Sequence, residues 1–290
     1  MQAALRPAAL RPAALRPAAL RPYVAAFRAR FLLMLQYRIA ALAGFATQCW
    51  WGVIKIMVYA AFYEAAAVAA PISLPNVITY TWLGQAFLAL LPWVADPEVG
   101  MAIRTGVVGY DRLRPLDTYG FWYARTLGWV VARALPRALL MFVAAGIVLP
   151  LVGLDAWAWR LPSGAEAALL FIPALALMIL LAVAVLMLAN VVVAASLNER
   201  GVNAVLMPLV IVFSGSLVPL DFFPDTMRPF LHAQPLAGLV DIPFRIYFAD
   251  LRGLAALEGL ALQAGWTLIL IGLGRFALAR MMRGLEMQGG

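Results

Sequence analysis

The chain has 290 residues, of which 65% are hydrophobic and only 12% are charged, and its mean hydropathy is +0.90. A soluble domain of this length cannot bury so much apolar surface, so the composition excludes a soluble protein and indicates several membrane spans. The net charge of +8 is carried almost wholly by arginine, and Lys55 is the only lysine. Because cytoplasmic loops of membrane proteins are rich in positive residues, this charge gives no reason to expect nucleic acid as a partner.

The N-terminal region has two parts. Residues 3–22 repeat the unit Ala-Leu-Arg-Pro-Ala. A proline at every fifth position does not fit a continuous helix, so we expect residues 1–22 to form a disordered basic tail, either touching anionic lipid or without function. Residues 23–38 differ, because Phe27, Phe31 and Leu35 share one helical face beside several arginines. This pattern predicts an amphipathic interfacial helix.

The apolar runs predict an all-α integral membrane domain over residues 23–285. Six spans are expected, at about residues 39–63, 77–95, 121–152, 167–196, 202–217 and 254–279. With the N-terminus inside, the outer segments hold only Arg160, Arg228, Arg245 and Arg252. The positive-inside rule then places both termini, the short tail 286–290 and the polar segment 96–117 in the cytoplasm.

The segment 96–117 is the long polar interval between the second and third spans. Asp96 can cap a helix, Pro97 suits its first position, and Glu98 suits the positive end of its dipole. The apolar face and the charged flank of this helix are formed by Val99, Ala102, Ile103 and Arg104. Two interpretations stay open: a helix that presses on another protein, or a loop lying on the lipid headgroups.

The outer segment 218–250 interleaves prolines with phenylalanines. It is too apolar for a solvated loop and too broken for a span, which favours short re-entrant helices in the outer leaflet. Such helices could form a lid over a pathway or a structural cap on the bundle. The gate candidates are Pro219, Phe222, Phe223 and Pro224.

Few polar side chains lie within the spans. Lys55 is a site candidate with Asp221 as a possible partner, but it could also extend outward to water. Gln85 and Asn190 could line a pathway or hold helices together. With the aromatic residues Trp51, Tyr59 and Phe213, they complete the set of pathway candidates.

Catalytic and metal chemistry finds no support in the sequence. The only lysine lies within a span, so there is no phosphate-binding P-loop. The only histidine is His232, which excludes a zinc motif of the HExxH type. A serine hydrolase built from His232 with Ser214 or Ser216 has no supporting motif. We therefore assign no catalytic residue, no metal ligand and no cofactor to this chain.

Two stretches carry a family resemblance. The first is Ile103-Arg104-Thr105-Gly106 followed by the run from Leu113 to Asp117, and the second is the run from Phe213 to Leu220 followed by Phe223-Pro224. With the order of the predicted elements over residues 23–285, they resemble the membrane subunit of ABC-2 type exporters, in the branch of viologen-exporter-like permeases. The N-terminal repeat lies outside this resemblance.

The resemblance implies a dimeric permease of a bacterial inner membrane, paired with itself or a sibling. Two copies of a separate cytoplasmic ATPase would bind ATP and magnesium. It also implies that the helix after the second span is a coupling helix for that ATPase, through Asp96, Glu98, Val99, Ile103 and Arg104. The cargo would be a hydrophobic or amphipathic small molecule, such as a drug, a toxin or a lipid. The alternative is an ion-coupled secondary transporter, which usually needs acidic residues inside the membrane.

Overall fold

The computed structural model describes residues 17–65, 70–105 and 115–283, and within these ranges the chain is helical and contains no strand. The helices are numbered in chain order: α1 Pro17–Leu35, α2 Arg38–Ala65, α3 Leu74–Phe87, α4 Pro97–Arg104, α5 Thr118–Val143, α6 Ala165–Ser196, α7 Glu199–Phe213, α8 Arg228–Ala233, α9 Asp241–Tyr247 and α10 Gly253–Arg283. Helix α5 continues through a π-helical stretch, Ala144–Val148, to Leu151. Short 3-10 turns occur at Leu88–Leu90, Asp155–Trp157, Leu220–Phe222 and Pro235–Leu239.

Four of these helices are long and apolar enough to cross a membrane: α2, α5 with its extension, α6 and α10. They correspond to the first, third, fourth and sixth predicted spans. Helices α3 and α7 have 14 and 15 residues, or roughly 21 to 23 Å at the usual helical rise, which is less than the ~30 Å of a bilayer core. The described part of the chain is therefore an all-α membrane protein with four helices of spanning length.

Helix α6 forms the centre of the bundle. Its residues from Leu181 to Met187 are all buried, so it is enclosed on every side. Helices α5, α9 and α10 pack around it, and α3 is buried along almost its whole length between α2 and α5. A helix that is apolar all round is typical of such a central position.

Helix α1 begins earlier than the sequence predicted. It includes Pro22, so the prediction of a disordered tail is wrong for residues 17–22, whereas residues 1–16 lie outside the described part. Proline removes only one backbone hydrogen bond here, and packing along α5 compensates. A Cβ atom on Gly128 of α5 would lie 2.5 Å from the Phe27 carbonyl oxygen, so the two backbones are in contact.

Candidate functional site

The polar segment after α3 forms the predicted capped helix. The Asp96 carboxylate accepts a hydrogen bond from the Glu98 amide at 3.0 Å, and its carbonyl accepts the Val99 amide at 3.0 Å. Pro97 is the first residue of α4, where a missing amide hydrogen costs little. The prediction of a helix that starts after an Asp96 cap is confirmed.

Ion pairs join the start of α4 to α1 and α5. Arg30 of α1 lies 3.4 Å from the Asp96 carboxylate and also pairs with Glu98. Arg125 of α5 donates to the other carboxylate oxygen of Glu98 at 2.5 Å. Arg30 and Asp96 are only 7% and 2% exposed. Because buried charges are costly without a partner, these contacts fix α4 to both helices.

Two asparagines hold the chain just before α4. Asn190, which is fully buried in α6, accepts the Asp96 amide at 2.8 Å, and Asn203 of α7 accepts the Ala95 amide at 2.9 Å. Asn190 therefore holds the chain just before α4 against the central helix α6. We call the resulting meeting point of α1, α4, α5, α6 and α7 the Asp96 junction; it consists of Arg30, Asp96, Glu98, Arg125, Asn190 and Asn203.

At the Asp96 junction, burial and the neighbouring charges shift the pKa values of Asp96 and Arg30 in opposite directions. Burial raises the pKa of Asp96, and the charge of Arg30, followed by those of Arg125 and Arg133, opposes this rise. Burial also lowers the pKa of Arg30, and the Asp96 carboxylate opposes that change. Each charge thus helps to keep the other ionised, so removing either one leaves a buried group short of its counter-charge.

The apolar face of α4 lies differently from the sequence prediction. Val99 is 4% exposed and packs in the core of the chain, so it cannot press on a separate protein. Asp96 is buried in the same way, and its role is to hold α4 in place. The exposed side of α4 presents Met101, which is 58% exposed. The side chains of Ile103 and Arg104, together with residues 106–114, lie outside the described part of the chain.

The predicted pathway residues fall into two groups. Gln85 and Asn190 are buried inside the chain. Of the others, Lys55 and Tyr59 of α2 reach the chain just after α7, which ends at Phe213, whereas Trp51 of α2 is 55% exposed. Lys55 donates to the Ser216 carbonyl at 3.0 Å, and among the described residues it forms no ion pair with the candidate partner Asp221.

Side chains from three directions hold the chain immediately after α7. The Tyr59 hydroxyl lies 3.5 Å from the Leu217 carbonyl, and the Tyr80 hydroxyl donates to the Gly215 carbonyl at 2.8 Å. Gln234 donates to the Phe213 carbonyl at 2.7 Å. The end of a helix leaves carbonyls without intrahelical donors, and Gln234 supplies a donor to the last residue of α7. Tyr59 and Tyr80 bind carbonyls of the irregular chain that follows.

A charged cluster lies in the outer segment around His232. Its Nδ1 lies 3.0 Å from Asp241, which is 2% exposed, and its Nε2 lies 3.5 Å from Asp221. Hydrogen bonds to Asp221 and then Asp241 raise the pKa of His232 to about 9, although burial opposes them. The hydrogen bond from His232 also lowers the pKa of Asp221. Arg245 adds a second positive charge 3.6 Å from Asp241.

The outer segment is broken into short helices that pack on the bundle. In α9, Ile242, Phe244 and Ile246 are all buried, and a Cβ atom on Gly238 would meet Leu181 of the central helix at 2.6 Å. This part fits the cap interpretation. Exposure increases along the gate candidates: Pro219 is buried, Phe222 and Phe223 are half-buried, and Pro224 is exposed.

Several residues of these clusters were not predicted from the sequence. Arg30 looked like a surface charge of an amphipathic helix, and Asn203 looked like an ordinary polar residue of a short span. His232 was considered only as a catalytic base. A signal was present for the outer cluster, because a segment this apolar can enclose charged side chains such as Asp221, Asp241 and Arg245 only when they pair.

A scan against models of protein families gives no match, and a search of curated proteins gives none that is significant. The functional interpretation therefore depends on the geometry described above.

Proposed function

We propose that this chain is the permease subunit of an ABC exporter and that a separate subunit hydrolyses the ATP. The observation that carries the proposal is α4, a short capped helix with one exposed side. The Asp96 junction ties its base to α1, α5, α6 and α7. A partner that moves α4 would displace these helices together, because the ion pairs and asparagine bonds leave little freedom between them.

The proposed topology has six spans. Helix α3 with its 3-10 turn would be the second span, and α7 with the segment after it would be the fifth. Both termini and α4 would lie in the cytoplasm of a bacterial inner membrane, in agreement with the arginine distribution.

The proposed pathway lies between two permease copies, or between this chain and a sibling. Trp51, Lys55 and Tyr59 occupy one stretch of α2 beside the end of α7. Their aromatic surface suits a hydrophobic or amphipathic cargo such as a drug, a toxin or a lipid. The gate candidates Phe222 and Phe223 follow α7 and would close this path on the outer side.

The test is purification of the chain with its ATPase, followed by comparison of ATP hydrolysis and transport in proteoliposomes. Met101→Glu adds a charge to the exposed side of α4 and replaces no residue of the Asp96 junction. We expect it to reduce transport at least tenfold while the fold and the basal ATPase activity of the partner remain. Leu161→Glu, at a position 73% exposed outside α4, is the matched control and should transport normally. Normal transport by Met101→Glu would contradict the coupling role.

An ion-coupled transporter is the second candidate, and the half-buried Asp221 and buried Asp241 beside His232 are the observation that favours it. Uptake driven by a pH gradient in vesicles without ATP would support it. Dependence on ATP and on the partner subunit would reject it.

A further inference from the structure

A cavity of about 800 Å³ lies where α1, α5 and α10 meet. One part of its wall is apolar and includes Leu20, Leu127 and Ile271. The other part is polar and includes Tyr23, Asp117, Tyr119 and Arg275. A cavity lined by both an ion pair and apolar side chains fits an amphipathic molecule.

The charged side chains of the wall form an ion pair that is only partly satisfied. Arg275 donates to Asp117 Oδ2 at 2.5 Å, and the same oxygen accepts the Gly120 amide at 2.8 Å. Among the described residues, both contacts to this carboxylate therefore use one oxygen, and the other remains as an acceptor. Only one terminal nitrogen of Arg275 makes this contact, so further N–H donors remain on its guanidinium. The two side chains are 55% and 46% exposed, so a ligand can reach both charges.

A second observation at this cavity concerns the buried hydroxyl group of Tyr119. Tyr119 lines the cavity and is only 3% exposed, yet its hydroxyl has no hydrogen-bond partner among the described residues. An unmade hydrogen bond on a buried group is costly. The Arg275 guanidinium lies over the Tyr119 ring, 5.5 Å from its centroid, and the Tyr119 hydroxyl lies beside Gly274, the residue before Arg275 in α10.

We propose that this cavity binds the headgroup of a phosphatidylethanolamine molecule from the surrounding bilayer. The phosphate accepts hydrogen bonds from Arg275 and from the Tyr119 hydroxyl. The primary ammonium donates to the free oxygen of Asp117, and the glycerol and upper acyl chains lie along Leu127 and Ile271. Because Asp117 and Arg275 carry opposite charges, they match a zwitterion better than an anionic headgroup, which the carboxylate would repel.

The headgroup chemistry also distinguishes between zwitterionic lipids. A primary ammonium has three N–H donors for the Asp117 carboxylate, whereas the trimethylammonium of phosphatidylcholine has none. With both termini in the cytoplasm, as proposed above, this lipid belongs to the inner leaflet. The site itself does not depend on coupling to an ATPase, so it can fail or succeed separately from the proposed function.

The test is native mass spectrometry of the full chain, delipidated in detergent and titrated with phosphatidylethanolamine, phosphatidylcholine or phosphatidylglycerol. We expect phosphatidylethanolamine to bind about tenfold more tightly than the other two. Arg275→Gln and Tyr119→Phe should each weaken its binding about tenfold. The control is Arg280→Gln, on the same helix at an exposed position that does not line the cavity.

The two variants separate binding from folding. Tyr119→Phe removes a hydroxyl that makes no described hydrogen bond, so the thermal stability of this variant without lipid should equal that of the unchanged chain. The stabilisation produced by added phosphatidylethanolamine should be lost. Equal binding of the three lipids, or tighter binding of phosphatidylglycerol, would overturn the assignment. Unchanged binding in both variants would overturn the site.

Discussion

Replacing Asp96 tests how firmly α4 is held. Asp96→Ala removes the cap of α4, which contributes about 1 kcal/mol. It also leaves the buried Arg30 with Glu98 as its remaining described counter-charge. Loss of one partner from a buried pair costs about 3 kcal/mol or more, and we take about 2 kcal/mol here because Glu98 stays in place. We therefore expect a loss of about 3 kcal/mol in the free energy of unfolding.

A second substitution separates the two contributions. Asn is also a good capping residue, so Asp96→Asn should keep the cap, lose the charge, and cost about 2 kcal/mol. The assay is equilibrium unfolding in mixed micelles with increasing dodecyl sulfate, followed by tryptophan fluorescence. Asp225→Asn is the matched control, because this carboxylate is 88% exposed and pairs with Arg228 on the surface; its effect should stay within about 0.5 kcal/mol. A loss below about 1 kcal/mol for Asp96→Ala would refute the reasoning.

Two further predictions concern backbone contact and pH. Gly128→Ala places a Cβ atom 2.5 Å from the Phe27 carbonyl oxygen, so it should separate α1 from α5 and lower the free energy of unfolding by about 1 to 3 kcal/mol in the same assay. In the control Gly84→Ala the added atom meets nothing within 4 Å, so its effect should be neutral or slightly stabilising. Equal effects of the two substitutions would contradict the close contact of α1 with α5. His232 has a pKa raised from 6.5 to about 9, so its stabilising contribution is complete below pH 6.5 and is lost as the pH rises through about 9. Thermal unfolding measured from pH 6 to pH 10 should show this loss, and His232→Gln should remove most of the dependence; a variant that keeps the same pH dependence would contradict the assignment.

Helices whose formation depends on length and hydropathy could be predicted from the sequence. Residues 38–65 and 165–196 are long apolar runs, and their helices match the prediction within a few residues. The Asp96 cap was predictable for another reason, because capping is a local property of a few adjacent residues. The early end of α7 was not predicted: Gly215 adopts a φ of +86°, and the apolar sequence continues beyond the helix.

Features that depend on tertiary contacts could not be predicted. Val99 and Met101 are both apolar residues of a short helix, and only the packing of α4 on α6 decides that one is buried and the other exposed. Lys55 could be recognised as unusual, but its partner is the backbone carbonyl of Ser216. Because every residue has a backbone carbonyl, the sequence does not indicate which one a side chain binds. Pro22 was taken as a helix breaker because the contact of Phe27 with Gly128 is not visible in the repeat.

The most direct test of the proposed coupling is a crosslink from the exposed side of α4. Cys49 is the only cysteine, so Met101→Cys in a Cys49→Ala background gives one reactive thiol. The proposal predicts that this thiol crosslinks to the ATP-hydrolysing subunit in membranes and is protected from a membrane-impermeant maleimide added outside the cell. Labelling of Met101→Cys from outside, or a purified complex with ATPase activity in which this thiol remains fully reactive, would contradict it.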